Sequence, residues 1–270
     1  MAGMWDPAQY LRFGDERSRP FFDLVGRIGA EHPGRVVDLG CGPGQLTAAL
    51  AARWPQAEVH GIDSSPEMIA AAMQLRTGAE GTGDAAALAG LSFSVGDIRD
   101  WRPGQPVDVI VSNAVLQWVP DHQPLLASWV AAALAPGGWL AFQMPGNFDQ
   151  PGYTILRDLS ASPRWRAQLA DVPLNRQAGN PADYADLLSR AGCTVDAWET
   201  TYLHVLPGAD PVLEWYKGSG LRPVLAALEP DQAAEFLTEY GALVRAAYPR
   251  RPYGTILPFR RVFVVARRNS

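Results

Sequence analysis

The sequence contains little lysine, histidine or cysteine. Lys217 is the only lysine, so almost every positive charge is carried by an arginine. The four histidines are scattered, and Cys41 and Cys193 show no metal-ligand spacing. The pattern therefore predicts no metal site and no disulfide framework, as expected for a reduced protein.

Long apolar runs are also missing. Gly, Pro or charged residues interrupt every apolar stretch well short of the ~18 residues that a membrane span requires. The opening residues, MAGMWDPAQYLRF, lack the apolar segment of a secretory signal. We therefore expect a cytoplasmic protein without membrane contacts.

The overall composition is that of a globular protein. Hydrophobic residues make up 47% of the 270 residues and charged residues 19%, which excludes a disordered, collagen-like or coiled-coil chain. The length fits one large domain or one domain with a substantial insertion. A net charge of −5 argues against a nucleic-acid partner, although the last 26 residues carry seven arginines and no acidic residue. Nothing in the composition indicates an oligomeric state.

Strand and helix patterns alternate over the first half of the chain. The predicted strands are 35–39, 58–62, 91–95, 107–111 and 139–144, and the predicted helices are 45–53, 66–76 and 124–134. Such alternation is typical of βαβ units, and two further strands are predicted at 194–206 and 258–267. The predicted fold is a doubly wound α/β domain with a mostly parallel, seven-stranded sheet.

Helical segments dominate the second half. Residues 211–247 have a helical pattern throughout, and no strand is evident between 150 and 191. We expect an N-terminal helical cap (1–30), a core (31–149), a helical insertion (150–193) and the final strands (194–270). A helical lid insertion (207–250) interrupts these final strands.

A glycine-rich turn follows the first predicted strand in Val36-Val-Asp-Leu-Gly-Cys-Gly-Pro-Gly-Gln-Leu46. Gln45 occupies the position of the third glycine in the dinucleotide-binding fingerprint. The acidic Asp38 before the turn suits a ligand with an ammonium group better than one with a phosphate. An NAD(P)-dependent oxidoreductase is therefore only a distant alternative, and a purely structural turn is the simplest alternative reading.

Four later segments accompany this turn in order: Gly61-Ile-Asp-Ser-Ser65, Val95-Gly-Asp-Ile98, Ser112-Asn-Ala-Val-Leu-Gln-Trp118 and Leu134-Ala-Pro-Gly-Gly-Trp139. Together they resemble the class I methyltransferases, which use S-adenosylmethionine (SAM) and release S-adenosylhomocysteine. The resemblance implies that SAM is the cofactor, that no metal is used, and that the ribose lies at Asp63. It implies adenine contacts after the third strand and methionine contacts after the fourth. The implied cofactor residues are Asp38, Gly40, Gly42, Gly44, Gln45, Asp63, Ser64, Asp97, Ile98, Asn113 and Ala114.

Two members of this set also have ordinary structural interpretations. Asp63 could be a helix N-cap before Pro66, although Ser64 or Ser65 would serve equally well. Asp97 could be an ordinary turn residue.

Three segments outside this core, at 5–20, 213–223 and 257–267, are similar to the trans-aconitate methyltransferases. This narrower resemblance implies a small tricarboxylate acceptor and a monomethyl ester product. A carboxylate is ionised near neutral pH and is already nucleophilic, so no acid–base catalytic residue is needed. Tyr10 and Trp118 are candidate positioning residues.

The carboxylates of such an acceptor require cations, and guanidinium groups match them in a bidentate manner. On a strand, Arg260 and Arg261 point to opposite faces, so one of them at most is expected to enter the pocket. A solvent-exposed role is the ordinary alternative for each of these cations. The candidate substrate-binding residues are Lys217, Arg222, Arg251, Arg261 and Tyr216.

Two further alternatives remain open within the methyltransferase reading. One is a small-molecule methyltransferase that acts on a hydroxyl or amine, and the other is a silent SAM-binding regulator.

Overall fold

Seven strands in the described part of the chain form a single sheet. The computed structural model describes residues 14–79, 88–174 and 178–270. Its strands are β1 (Arg35–Leu39), β2 (Glu58–Asp63), β3 (Leu91–Val95), β4 (Val107–Asn113), β5 (Leu134–Pro145), β6 (Cys193–Leu206) and β7 (Thr255–Arg268). Their order across the sheet is β3-β2-β1-β4-β5-β7-β6.

The first five strands are parallel. β1 pairs with β2 and β4, β2 pairs with β3, and β4 pairs with β5. The strand order reverses between β1 and β4, and right-handed crossovers then place helices on both faces of the sheet. The predicted doubly wound, mostly parallel α/β fold is confirmed.

The last strand runs against its neighbours. Asn269, directly after β7, donates its backbone N–H to the carbonyl of Gly192, directly before β6, at 2.9 Å. The guanidinium of Arg268 likewise donates to the carbonyl of Leu134 at the start of β5. The end of β7 therefore lies beside the starts of β5 and β6, which makes it antiparallel to both.

Helices connect these strands. They are α1 (Gly14–Val25), α2 (Gln45–Arg53), α3 (Pro66–Ala79), α4 (Gln123–Ala132), α5 (Pro151–Ser160), α6 (Arg166–Leu169), α7 (Pro181–Arg190), α8 (Pro211–Lys217), α9 (Arg222–Ala227) and α10 (Pro230–Ala247), with a 3-10 turn at Leu116–Trp118. Five of them begin at a proline, whose missing N–H would lack a helical partner at that position anyway. None of the helices in the described ranges is both long and apolar enough to cross a bilayer.

Two predicted segments differ clearly from the observed elements. Residues 211–247, predicted to be helical throughout, form three separate helices, because Gly218 caps α8 and the chain is extended at Leu228 and Glu229, before Pro230. β5 begins at Leu134 rather than at residue 139, since Gly137 adopts φ 75° and lets the strand pass through an irregularity.

The chain divides into two compact units. The core unit comprises Asp15–Met144, Gly179–Glu199 and Val262–Ser270, and the helical unit comprises Pro145–Ala178 and Thr200–Arg261 in its described part. β6 and β7 each contribute residues to both units. Each unit has buried apolar side chains of its own.

Buried tyrosines surround Gly152 in the helical unit. The Gly152 N–H donates to the hydroxyl of Tyr248 at 3.0 Å, and the hydroxyl of Tyr240 donates to the Gly152 carbonyl at 2.9 Å. A Cβ at this position would lie 2.3 Å from the hydroxyl oxygen of Tyr216. Only glycine therefore fits at the start of α5.

Candidate active site

All eleven predicted cofactor residues lie in the core unit, where β1 to β4 end. These four strands are parallel, so their carboxyl ends share one edge of the sheet, the edge at which ligands bind in doubly wound folds. The structure thus brings the set together. Its members are Asp38 to Gln45 at β1 and α2, Asp63 and Ser64 at β2, Asp97 and Ile98 after β3, and Asn113 and Ala114 at β4.

Two glycines of the turn have different structural roles. Gly44 adopts φ 86°, and a Cβ there would lie 2.8 Å from both Ala72 Cβ and Phe93 Cζ. Gly42 adopts φ 55°, but a Cβ there would meet nothing within 4 Å. Gly44 is therefore required by the protein's own packing, whereas Gly42 borders open space that a ligand can occupy.

Asp63 links the ends of two strands. Its Oδ2 accepts the backbone N–H of Gly42 at 2.9 Å, and its Oδ1 accepts the backbone N–H of Ser65 at 2.9 Å. The N-cap role at α3 belongs to Ser65, whose Oγ accepts the N–H of Met68 at 3.2 Å. A carboxylate oxygen can accept two hydrogen bonds, so each oxygen of Asp63 retains capacity for a ribose hydroxyl.

Asp38 is a buried acid with one unpartnered oxygen. The side chain is 2% exposed, its Oδ2 accepts the Thr47 hydroxyl at 2.7 Å, and its buried Oδ1 has no hydrogen-bond partner. Burial raises the pKa of Asp38 to about 6, with a further rise from the charge of Asp63 and an opposing effect of the Thr47 bond. A cation beside Oδ1 would relieve both the missing bond and the unfavourable charge.

Asp97 is already engaged. The Arg99 guanidinium pairs with both oxygens of Asp97, at 2.5 Å for Nη2 to Oδ2 and 3.0 Å for Nε to Oδ1. The Arg99 hydrogen bonds are the main reason that the pKa of this carboxyl lies below its usual value. An incoming amine would share the carboxylate with Arg99. The next residue, Ile98, is buried.

A buried glutamine that sequence reasoning missed supports the end of β4. The Gln143 amide donates to Asn113 Oδ1, and the Gln143 carbonyl accepts the N–H of Ala114 at 2.9 Å. Ala114 has φ 58°, which is strained for a residue with a side chain, and Gln117 Nε2 donates to its carbonyl at 2.5 Å. The polar Gln143 inside the apolar strand Leu140-Ala-Phe-Gln-Met144 was the available signal.

Trp118 ends the 3-10 turn and is 37% exposed. The same segment is anchored by His122, whose Nδ1 bonds the Val119 carbonyl at 3.2 Å and whose Nε2 bonds the hydroxyl of Tyr184 at 2.8 Å. Burial lowers the pKa of His122, which keeps the ring neutral as a structural partner. Tyr10, the other predicted positioning residue, lies outside the described residues.

The predicted substrate-binding residues all lie in the helical unit, in different environments. Arg261 is only 5% exposed, with its guanidinium 5.0 Å from the centre of the Phe259 ring. Tyr216 is also buried. Lys217 pairs with Glu214 at 3.0 Å, and the exposed Arg251 donates to the hydroxyl of Tyr253 at 3.0 Å. Arg222 begins α9 and is half-buried.

The environment of Cys41 does not favour a reactive thiolate. Burial, together with the charges of Asp38 and Asp63, raises the pKa of the Cys41 thiol, which keeps it protonated. Within residues 14–79, 88–174 and 178–270, no three His, Cys, Asp or Glu side chains form a group that could hold a metal ion.

Comparison with known proteins adds family information. A family model described as a methyltransferase domain matches residues 13–197. A Rhodococcus jostii protein named trans-aconitate 2-methyltransferase is 52% identical over 266 residues, which cover 97% of this chain and 99% of that protein. A Streptomyces avermitilis protein of the same name is 50% identical over 269 residues, with 98% and 97% coverage.

Solved structures agree on the fold. Phosphoethanolamine N-methyltransferase 2 of Haemonchus contortus, in complex with phosphomonomethylethanolamine and S-adenosylhomocysteine, superposes with a TM-score of 0.54. The superposition covers 92% of this chain and 52% of that chain at 17% identity. At this identity the likeness concerns the fold alone.

Proposed function

Since the chain belongs to the class I SAM-dependent methyltransferases, among the trans-aconitate methyltransferases, we propose that it transfers the methyl group of SAM to a carboxylate of trans-aconitate. The products are S-adenosylhomocysteine and a monomethyl ester. The observation that carries this proposal is the extent of the similarity to the relatives of that name. Identity near 50% covers 97–98% of the chain and so includes the region beyond residue 197, outside the methyltransferase domain.

The residues of the core unit suit SAM. Asp38 Oδ1 lacks a partner and can accept from the ammonium group of the methionine part. Gly42 leaves space beside the turn, and Asp63 retains acceptor capacity for the ribose. An acidic residue at this turn would repel a pyrophosphate, which disfavours the dinucleotide alternative.

The remaining cofactor contacts follow from the strand order. Asp97 and Ile98 are assigned to adenine, with the carboxylate on the exocyclic amine and a backbone amide on the ring. Asn113 and Ala114 are assigned to the methionine part, where Gln143 holds the strained backbone in place. Gln45 and Ser64 lie exposed at the rim of this set.

Methyl transfer to a carboxylate requires alignment of the reacting atoms and no proton transfer. SAM supplies an electrophilic methyl group on a sulfonium. One carboxylate oxygen of the acceptor forms the new O–C bond as the S–C bond breaks, and the electron pair of that bond returns to sulfur. No proton moves, so the chain needs no general base. Its residues position the oxygen, exclude water and balance the remaining carboxylates.

Cations and aromatic groups of the chain supply these roles. Arg261 is the most buried of the candidate cations, and a guanidinium can bind an acceptor carboxylate in a bidentate manner. Lys217, Arg222 and Arg251 are assigned to the other carboxylates, and Tyr10 and Trp118 keep their assignment as positioning residues. Tyr216 packs against Gly152 inside the helical unit and is therefore assigned a structural role. The enzyme is assigned to the cytoplasm, which the two buried, free cysteines support.

A single experiment tests the proposal against the alternatives. The purified protein is incubated with methyl-labelled SAM and a panel of tricarboxylates, dicarboxylates, phenols and amines. We expect base-labile label from tricarboxylates, with trans-aconitate preferred. Base-stable label from a phenol or amine would select the other methyltransferase reading, and absence of label with tight SAM binding would select a silent regulator.

A further inference from the structure

The methionine part of SAM carries two charges, an ammonium and a carboxylate. Asp38 at the end of β1 suits the ammonium, so the carboxylate requires a hydrogen-bond donor of its own. The backbone of the glycine turn, residues 40–44, does not supply one. Pro43 has no N–H, and the other four N–H groups of the turn already donate within the protein, to Ile62, Asp63 and Cys41.

Asn113 provides a donor on the same face of the sheet as Asp38. Val111 is the register partner of Asp38 in the parallel pair of β1 and β4, and Asn113 follows Val111 by two residues. Paired residues, and residues two apart on a strand, lie on the same face of a sheet. Asn113 is half-buried, which leaves its side chain within reach of a ligand.

Gln143 determines how the Asn113 amide is oriented. It is the register partner of Asn113 in β5, is completely buried, and donates its side-chain amide to Asn113 Oδ1. The oxygen and the nitrogen of a primary amide point in different directions, so this bond leaves Asn113 Nδ2 directed away from β5. The neighbour of β4 on the other side is β1. Asn113 thus presents its donor end, and not its acceptor end, to the side on which Asp38 lies.

Two contacts fix Asn113 relative to the glycine turn. The hydroxyl of Ser112 donates to the Leu39 carbonyl at 2.9 Å, and a Cβ at Gly40 would lie 2.1 Å from Val115 Cγ2. Residues on both sides of Asn113 therefore contact the end of β1 directly. A donor that is already held in place loses little conformational freedom when it binds a ligand.

We propose that Asn113 Nδ2 binds the carboxylate of the methionine part of SAM and that Gln143 is a positioning residue for this contact. Without the Gln143 amide, the Asn113 side chain can turn and present Oδ1, an acceptor that a carboxylate avoids. This inference rests on the proposed function only for the identity of the cofactor, and it holds for any acceptor.

Decarboxylated SAM tests the contact, because it keeps the sulfonium and the ammonium but lacks the carboxylate. In calorimetry without acceptor, we expect the wild type to bind SAM roughly 10- to 100-fold more tightly than decarboxylated SAM. Asn113→Ala should remove most of this preference, and Asn113→Asp should reverse it by charge repulsion. An unchanged preference in Asn113→Ala would overturn the proposal and assign the carboxylate to other donors, such as the first N–H groups of α2.

Gln143→Leu tests the positioning role. Leucine keeps the volume in an apolar strand but cannot donate, so the preference for SAM should fall roughly 3- to 10-fold. A merely structural role would raise the Kd values of both ligands by the same factor, as partial unfolding does, and would leave their ratio unchanged. An unchanged ratio would therefore overturn the positioning role.

The double variant shows whether Gln143 acts through Asn113. In the Asn113→Ala background, Gln143→Leu should leave the ratio of the two Kd values unaltered, because the amide that Gln143 orients is already absent. A further loss of preference in the double variant would overturn the assignment of Gln143 as a positioning residue for Asn113.

Asn269→Ala is the matched control. Asn269 Oδ1 also accepts a side-chain hydrogen bond, from the Thr194 hydroxyl at 3.1 Å, but Asn269 lies beside the start of β6. This variant should keep the wild-type preference for SAM.

Product analysis separates this inference from the proposed function. A wild type that prefers SAM to decarboxylated SAM but forms no ester from trans-aconitate would support the carboxylate contact without the proposed reaction. A wild type that forms the ester but binds both ligands equally would overturn the contact and leave the proposed function standing. Binding of neither ligand would overturn both.

Discussion

The carboxylate of Asp63 accepts the backbone N–H of Gly42 at 2.9 Å, across 21 residues of sequence. This bond joins the end of β2 to the glycine turn after β1. One side chain therefore has two roles: it shapes the turn beside the cofactor and presents acceptors to the ribose.

Asp63→Ala should accordingly weaken both folding and binding. Loss of the bonds to Gly42 and Ser65 is expected to lower the free energy of unfolding by about 1–3 kcal/mol, and loss of the ribose contacts should raise the Kd for S-adenosylhomocysteine at least about tenfold. Denaturant titration and calorimetry measure the two effects. Glu58→Ala, at the exposed start of β2, is the control. An unchanged Kd would leave Asp63 with the structural role alone.

Alanine substitutions at two glycines of the turn should differ in their main effect. Gly44→Ala is expected to destabilise the fold by roughly 2–5 kcal/mol, from positive φ and the overlap with Ala72 and Phe93. Gly42→Ala should lower stability only by about 1–2 kcal/mol but weaken cofactor binding strongly, because its methyl group enters the open space.

Gly192→Ala is the control for this pair. Gly192 has φ 85° and open space around its Cβ position, but it lies between α7 and β6. It should match the stability loss of Gly42→Ala with no loss of cofactor affinity. Equal cofactor affinity in all three variants would show that the turn does not border the ligand.

The raised pKa of Asp38 predicts how the stability of the unliganded protein changes with pH. Its pKa in the folded protein, about 6, lies above the ordinary value of 3.8, so its contribution to stability is present below about pH 4 and is lost as the pH rises through about 6. Asp38→Asn should therefore stabilise the unliganded protein at about pH 8 by up to roughly 3 kcal/mol, and this gain should vanish at about pH 4. Thermal unfolding at both pH values measures it. A less stable variant at the higher pH would contradict the assignment.

The same residue governs cofactor affinity. The ammonium of S-adenosylhomocysteine prefers the ionised carboxylate, so wild-type affinity should fall by up to about tenfold per pH unit below about pH 6. Asp38→Asn should bind weakly at every pH, with a flat profile in calorimetry. A flat wild-type profile would place the ammonium elsewhere.

Neutralising an acceptor-binding cation should act on the acceptor alone. Arg261→Gln and Lys217→Gln are each expected to raise the KM for trans-aconitate, lower kcat or do both, with little effect on SAM affinity. Because Arg261 is buried, the unfolding temperature of Arg261→Gln must be measured as well. Arg190→Gln, which removes an exposed pair with Asp186, is the control. Unchanged kinetics in both variants would move carboxylate recognition to other residues.

The sequence was sufficient for features that depend on local pattern. The glycine turn, the acidic residue ending β2 and the alternation of strands and helices follow from residue spacing, and these place the cofactor residues on one edge. The pairing of Asp97 with Arg99, and the support that Gln143 gives to Asn113 and Ala114, depend on how side chains pack after folding.

The central claim is that a carboxylate of trans-aconitate is esterified, and the mass of the product tests it most directly. After incubation of the protein with SAM and trans-aconitate, we predict a product that is heavier by one methylene unit and that returns to trans-aconitate on mild alkaline hydrolysis. The account would be contradicted if trans-aconitate stayed unchanged while the same protein methylated a neutral acceptor.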